Sequence, residues 1–514
     1  MSAASSEAGA SPHLHGSALV GTIFLLALAN FMAVLDLTIV NVAVPHIAGS
    51  LAVSPNEGTW AITSYAVAEA ITVPLSGWLA GRFGAVRVFS IAAASFGLFS
   101  LLCGFAPSLS FLVIFRVLQG LSGGPLMPMS QALLMRVTPP KQVQLALGLQ
   151  TMTTIIAPIA GPVLGGVLTD SVGWPWAFYI NVPIAIFVSF AVWRLLKSRQ
   201  AETVRQPIDY VGLGLLVLWV GALQIMLDNG QDDDWFNSPF IITLCVIAAI
   251  GFVAFLIWEL TEEHPIVDLS VFRVRSFSVM AGAMAFTFGA FFATIVLTPL
   301  WLQTNMNYTA TWAGYVMAFQ GVLGVAMAPV AAMLLSRVDP RALMSLGLAI
   351  LAGVTLWRTG FAQNITFWQL AMPQLVTGLG MPLFFVPLLG LSVAAVPPRQ
   401  TASAAGLVNF IRTMSGAFGT ALVTTGWDQA TTNARVNLVG LVHQPQAVLN
   451  TYQSQGLTPA QALNQLDSLV QSQAVMLATD RMYLVLAAII AMVAAGVWLS
   501  PRPKGAVALG AGGH

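Results

Sequence analysis

The chain is a succession of apolar runs, most about long enough to cross a lipid bilayer, separated by mostly short loops that carry its positive charge. A spanning helix needs about 20 mostly apolar residues. Fourteen runs are read this way: 19–44, 58–79, 86–106, 108–133, 144–168, 175–196, 210–228, 238–259, 278–302, 312–335, 341–361, 367–393, 402–426 and 479–499. The seventh is the shortest, and the eleventh reaches Arg358 near its end. Only 8% of the 514 residues are charged and the mean hydropathy is +0.82. Soluble domains carry about a quarter charged residues, and no soluble core hides so much apolar surface. Lipid must therefore solvate most of an all-α chain. A net charge of +1 leaves no footprint for nucleic acid. The first run exceeds a signal-peptide core and follows 17 residues without Lys or Arg, so it reads as a retained helix. Cys103 and Cys245 lie inside apolar runs and read as small hydrophobes.

The basic residues set the orientation, because positive charge gathers in cytoplasmic loops. With the N-terminus inside, inner loops hold Arg82, Arg87, Arg136, Lys141, Arg194, Lys197, Arg199, Arg205, Arg273, Arg275, Arg337, Arg341, Arg399, Arg502 and Lys504, fifteen of the twenty. Arg358, Arg435 and Arg481 fall outside; Arg116 and Arg412 fall within runs. Dropping one run would scramble this alternation, so both termini are expected inside. The short basic loops 77–87 and 333–341 sit eight runs apart, which fits two six-helix halves with the seventh and eighth runs inserted between them. The expected division is a cytoplasmic tail 1–18, a six-helix bundle 19–196, a linker with two inserted helices 197–277, a six-helix bundle 278–499 with a polar outer loop 427–478, and a cytoplasmic tail 500–514. Within that loop, residues 459–476 carry an apolar helical stripe and read as a surface helix.

An ionisable residue at membrane depth is a functional candidate by default. Asp36 lies eight residues before Val44, and Arg116 eight residues after Ser108. At about 1.5 Å rise per residue both sit roughly 12 Å below the outer surface. An isolated charge there costs about 2.5–3.5 kcal/mol, so the two are expected to pair. Burial and a nearby guanidinium act in opposite senses on a carboxylate's hold on its proton. Separating the pair would therefore couple protonation to helix movement; the alternative is a purely structural ion pair. Glu69, near mid-depth in the second run, reads as a second proton site, a ligand for cationic compounds, or a protonated acid bonded to a neighbouring helix. Arg412 reads as a cavity residue or as a partner of backbone carbonyls. Phe286, Phe288, Phe291 and Phe292 in the ninth run, and Phe384 and Phe385 in the twelfth, are candidates for an apolar cavity wall. In the fifth run, Gly161, Pro162, Gly165 and Gly166 should permit bending and close helix contact. Gly77, Arg82 and Gly84 occupy the short basic loop after the second run. No phosphate-binding loop with Lys-Ser/Thr is present, which leaves an ion gradient as the energy source rather than ATP.

Five segments together resemble the EmrB-type multidrug export proteins, within the fourteen-helix drug:proton antiporters of the major facilitator superfamily. Leu35-Asp-Leu-Thr-Ile-Val-Asn-Val-Ala-Val-Pro45 looks like that family's first-helix signature, and Arg116 through Gly120 like its Arg-x-x-Gln-Gly motif. Gly161-Pro-Val-Leu-Gly-Gly166 looks like its antiport motif; Phe178-Tyr-Ile-Asn-Val-Pro183 and Pro265-Ile-Val-Asp-Leu269 are also similar. The resemblance implies a 6+2+6 fold in a bacterial inner membrane, proton-coupled efflux of hydrophobic drugs, and Asp36 and Arg116 as proton-coupling residues. It needs no cofactor beyond the proton gradient. It further implies an EmrA-like periplasmic adaptor and a TolC-like outer-membrane channel. Gly81 stands where the superfamily usually carries an acid, a departure from the pattern. The rival readings are a proton-coupled importer of the same fold and a non-transporting sensor.

Overall fold

The computed structural model describes residues 13–501, except 141, 201, 202, 204–206, 336, 362–364, 395, 398, 399 and 442–444. Lys141, Arg205, Arg399, Arg502 and Lys504 of the charge pattern thus lie outside the described residues, as does the side chain of Pro162. Every regular element described is helical. In chain order these are α1 (Gly16–Leu51), α2 (Pro55–Gly58), α3 (Trp60–Thr72), α4 (Ser76–Phe83), α5 (Ala85–Gly104), α6 (Leu109–Gly123), α7 (Leu126–Val137), α8 (Val143–Ser171), α9 (Trp176–Tyr179) and α10 (Asn181–Leu196). They continue as α11 (Tyr210–Asn229), α12 (Pro239–Thr261), α13 (Arg275–Thr304), α14 (Ala310–Leu334), α15 (Pro340–Arg358), α16 (Phe367–Ala394), α17 (Thr401–Leu441), α18 (Pro445–Ser454) and α19 (Pro459–Gly496).

Among the described residues, eleven helical stretches are long and apolar enough to cross a membrane. Three expected runs fall outside that set, each with a local cause. The second is divided between α3 and α4 around Pro74, whose ring supplies no backbone donor. The fifth is α8, several of whose side chains lie outside the described residues. The thirteenth lies in α17, where Asn409, Arg412 and interspersed Thr, Ser and Gly dilute the apolar run.

Helices α1, α3, α5, α6, α8 and α10 pack chiefly on one another, and α13, α14, α15, α16, α17 and α19 do the same. Helices α11 and α12 pair together, and α11 also touches α3 and α17, one from each set. The two sets meet along α8 and α14, and where α4 and α7 press against α17. Small residues make that approach possible. A Cβ on Gly77 would collide with Ser403, and one on Gly406 would lie 3.1 Å from the Val73 carbonyl oxygen. Within the first set, Gly161 faces Thr38 and Gly165 faces the Ile39 carbonyl, bringing α8 against α1; Gly120 does the same for α6 against the Tyr65 carbonyl. Gly166 is a correction: nothing lies within 4 Å of its missing Cβ, so it serves no close contact here. Gly84 adopts φ +87°, a conformation open to glycine, and makes the turn from α4 to α5.

The segment 427–478 is also corrected. Instead of a polar loop with a separate surface helix, α17 and α19 continue through it as long helices joined by α18. With 41 and 38 residues, each far exceeds the roughly 20 needed to cross a bilayer core. The extensions are tied to each other by Arg435 Nη2 to Asp467 Oδ1 at 2.6 Å and by Trp427 Nε1 donating to Thr479 Oγ1 at 2.9 Å.

Candidate functional site

Asp36 and Arg116 are fully buried and meet at 2.5 Å, Arg116 Nη1 donating to Asp36 Oδ2. The equal depths read from the sequence bring α1 and α6 together as expected. Asp36 Oδ1 accepts two further bonds, from Gln119 Nε2 at 3.0 Å and Asn181 Nδ2 at 2.7 Å. Arg116 Nε donates to the Ala61 carbonyl at 2.7 Å, its Nη1 also reaches Gln119 Oε1 at 2.9 Å, and its guanidinium carbon lies 4.2 Å from the Tyr65 ring centroid. Asn181 in turn donates to Ser100 at 3.2 Å. Four helices, α1, α6, α10 and α5, and the Ala61 carbonyl of α3 thus close around one carboxylate. Gln119 follows Arg116 by three positions, so both face the same side of α6. Sequence reasoning saw Gln119 and Asn181 only as motif letters; the structure makes them partners of the acid.

The cage does not open on the central cavity. That cavity lies between the two helix sets and contains about 560 Å³ of non-atom space, part of it open solvent. Val34, two positions before Asp36, lines it with Gln131, Phe291, Phe292, Phe385 and Arg412. The buried pair Asn409 Nδ2 to Gln131 Oε1, at 2.8 Å, joins the two sets at its wall. Arg412 points in with its guanidinium carbon 5.6 Å from the Phe288 ring centroid. Phe288 packs against Phe291, Phe292 and Phe385 at 4.6–6.1 Å between centroids. Two cavity candidates are corrected. Phe286 is 63% exposed on the outer face of α13, and Phe384 is fully buried away from the lining. Successive residues of a helix point about 100° apart, so Phe286, two positions from Phe288, turns outward, and Phe384, next to Phe385, turns into the packing between helices.

Glu69 on α3 is half-buried and forms no ion pair among the described residues. Arg82 lies half-buried at the end of α4, 5.5 Å from the Trp78 ring and 5.6 Å from the Phe83 ring. Arg358 is the second functional candidate that sequence reasoning missed. Assigned to the outer surface, it is instead 2% exposed, with Nη2 donating to Thr377 at 2.8 Å and Gln374 at 3.0 Å. A charge three residues before the end of an apolar run reads as a loop anchor; only the packing of α16 against α15 encloses it.

The chain has relatives among known proteins. The family model for the Major Facilitator Superfamily matches residues 26–420. The chain is 46% identical over 81% of its length to "Multidrug export protein EmrB" of Haemophilus influenzae, covering 82% of that protein. It is 40% identical over 98% of its length to "Fatty acid resistance protein FarB" of Neisseria gonorrhoeae, covering 99%. Among solved structures, the proton:xylose symporter XylE superposes with a TM-score of 0.59 at 13% identity, covering 95% of this chain and 97% of that one; at this identity the likeness concerns the fold alone. An all-helical, multi-span membrane chain, with a buried acid caged by an arginine and a phenylalanine-walled cavity between two helix sets, is thus a member of the major facilitator superfamily, in the branch of the EmrB and FarB export and resistance proteins.

Proposed function

We propose that the chain is a proton-coupled exporter of hydrophobic and amphipathic toxic compounds across the bacterial inner membrane, with fourteen crossings arranged 6+2+6 and both termini in the cytoplasm. It is not an enzyme; the chemistry is proton binding and helix movement. The observation that carries the reading is the Asp36 cage. All three side chains that reach the carboxylate are donors. A protonated carboxyl loses its charge and one acceptor lone pair and must itself donate, so the three bonds, the one from Arg116 above all, weaken. Protonation therefore loosens α1 from α6 and α10, and re-forming the cage releases the proton. Gly161 and Gly165 set α8 directly against α1, which passes that change to the α8–α14 seam between the halves.

The basic ends of the halves are sealed by Gly77 against Ser403 and by Gly406 against Val73, which fits the outward-facing stage of a rocking cycle. A compound enters the opposite stage from the cytoplasm or inner leaflet and meets the wall formed by Phe291, Phe292, Phe385 and Arg412. An external proton at Asp36 then resets the transporter, and each inward charge gains about 2.3 kcal/mol per 100 mV of potential. Glu69 and Arg412, one in each half, serve as further charge-sensitive groups. The protruding α17–α18–α19 hairpin, with Val436, Leu441 and Leu463 exposed, is the docking element for an EmrA-like periplasmic adaptor leading to a TolC-like channel. A proton-coupled importer of this fold remains the rival, which the names of the curated relatives disfavour.

The test is substrate flux in proteoliposomes under an imposed pH gradient. The wild type is expected to move an amphipathic dye against its gradient only when protons flow the other way. Co-directional movement of dye and protons would replace this reading with the importer.

A further inference from the structure

The second helix set holds a buried cation that no carboxylate neutralises among the described residues. Arg358 sits at the C-terminus of α15, enclosed by α16 and by Tyr483 of α19, whose ring centroid lies 5.9 Å from the guanidinium carbon. Its partners Gln374 and Thr377 are neutral, and its Nε has no acceptor. Among the described residues no carboxylate forms an ion pair with it. A lone charge at membrane depth costs about 2.5–3.5 kcal/mol, and such residues mark binding sites and ion paths.

Arg358 faces a cavity of about 370 Å³ of non-atom space, part of it open solvent. A second unspent donor lines the same space: the buried Thr287 hydroxyl has no partner. The other three threonine hydroxyls of this lining, Thr294, Thr355 and Thr377, already donate to the Ala290, Leu351 and Pro373 carbonyls. The cavity adjoins the central one, with Phe291 and Ile295 in the wall of both. A single positive charge and a free hydroxyl therefore stand in a cavity separated from the phenylalanine-walled one only by Phe291 and Ile295.

We propose that Arg358 and Thr287 form an anchoring site for the carboxylate of an anionic amphiphile, whose hydrocarbon chain lies past Phe291 and Ile295 into the central cavity. A guanidinium offers parallel N–H groups matched to a carboxylate's two oxygens, which a neutral ligand head cannot use. The proposal deepens the export reading by naming a substrate class and relies on it only for the direction of travel.

Equilibrium binding to the purified full-length protein in neutral detergent, without any gradient, tests the site. The probes are laurate and its methyl ester, which share a tail and differ in charge. The wild type is expected to bind laurate at least about ten-fold more tightly than the ester. Arg358→Gln should abolish that preference while leaving ester binding within about two-fold, and Arg358→Lys should retain part of it. Thr287→Val should weaken laurate alone, by about three-fold. Equal affinity of the wild type for laurate and ester would overturn the site, and needs no variant to fold. So would an Arg358→Gln protein that keeps the preference. Phosphatidylglycerol displacing laurate with equal affinity would assign the cation to a lipid headgroup instead. Because no gradient is present, a negative result leaves the proton-coupled export reading standing, and a failure of coupled flux leaves this one standing.

Discussion

Two buried arginines, one in each half of the molecule, are handled in opposite ways. Arg116 meets a carboxylate at 2.5 Å, a backbone carbonyl and a glutamine, and its positive charge is matched inside the first helix set. Arg358 in the second set meets an amide oxygen and a hydroxyl, and its charge stays whole. Both are almost fully enclosed. The difference separates two kinds of work. A matched pair is closed to outside ligands, and only a proton is small enough to unmake it. An unmatched cation attracts any anion that reaches it. In the proposed cycle the first half senses protons and the second holds cargo.

Removing the titrating group is the strongest way to break this contrast. Asp36→Asn keeps the size and leaves Asn181 and Gln119 an oxygen to bond, but it strands the buried Arg116 guanidinium at a cost of about 3–5 kcal/mol, so efflux is compared per folded transporter. Proton-driven efflux should fall by about 100-fold or more, within the range mutation of a positioned proton-transfer group produces. Near wild-type efflux in the same proteoliposomes would remove Asp36 as the proton site. Arg116→Met comes next and acts on stability. It strands a fully buried carboxylate, which costs about 3–5 kcal/mol, whereas the paired change Asp36→Leu with Arg116→Met should recover most of that loss without recovering transport. Thermal unfolding of the three proteins in detergent decides it. If the double variant is no more stable than the single, the cage is held by something other than charge pairing.

A smaller effect is expected where the halves touch. Gly77→Ala inserts a Cβ into the space of Ser403, while Gly81→Ala, one helical turn away, meets nothing within 4 Å. Overpacking of this kind costs about 1–3 kcal/mol. Spin labels on the basic ends of α4 and α17 should therefore report a shift toward the separated form, by about ten-fold in population, for the first variant only. Equal shifts for both would mean that helix propensity, and not the seal, sets the balance.

The spanning helices and the Asp36–Arg116 pair were legible from the sequence because both rest on one-dimensional quantities, apolar run length and depth along a helix. What stayed hidden depends on which helices become neighbours. Gln119 and Asn181 are ordinary amides until α6 and α10 close around α1. Arg358 looked like a loop residue because run length carries no information about α16 covering it. The Gln131–Asn409 contact joins residues 278 positions apart, which no local pattern records. Phe286 and Phe384 failed for the reverse reason: composition identified phenylalanine-rich stretches, but only helix rotation decides which ring faces the cavity.

The smallest effect comes from a pair that looks almost the same on paper. Arg435 and Asp467 meet at 2.6 Å, within 0.1 Å of the Arg116–Asp36 separation, yet their side chains are 48% and 57% exposed. Water solvates both charges whether or not they touch, so the bond replaces one favourable environment with another and is worth about 0–1 kcal/mol. Arg435→Gln should therefore lower the unfolding temperature by no more than a small fraction of the Arg116→Met shift. That small shift should also disappear at high salt, because exposed charges are screened within about 8 Å at physiological ionic strength. The Arg116 shift should persist, since no ions enter its cage. If both variants lost stability equally, or both losses faded with salt, burial would not be what distinguishes the two pairs. The case for Asp36 as a site whose protonation moves helices would then lose its physical basis.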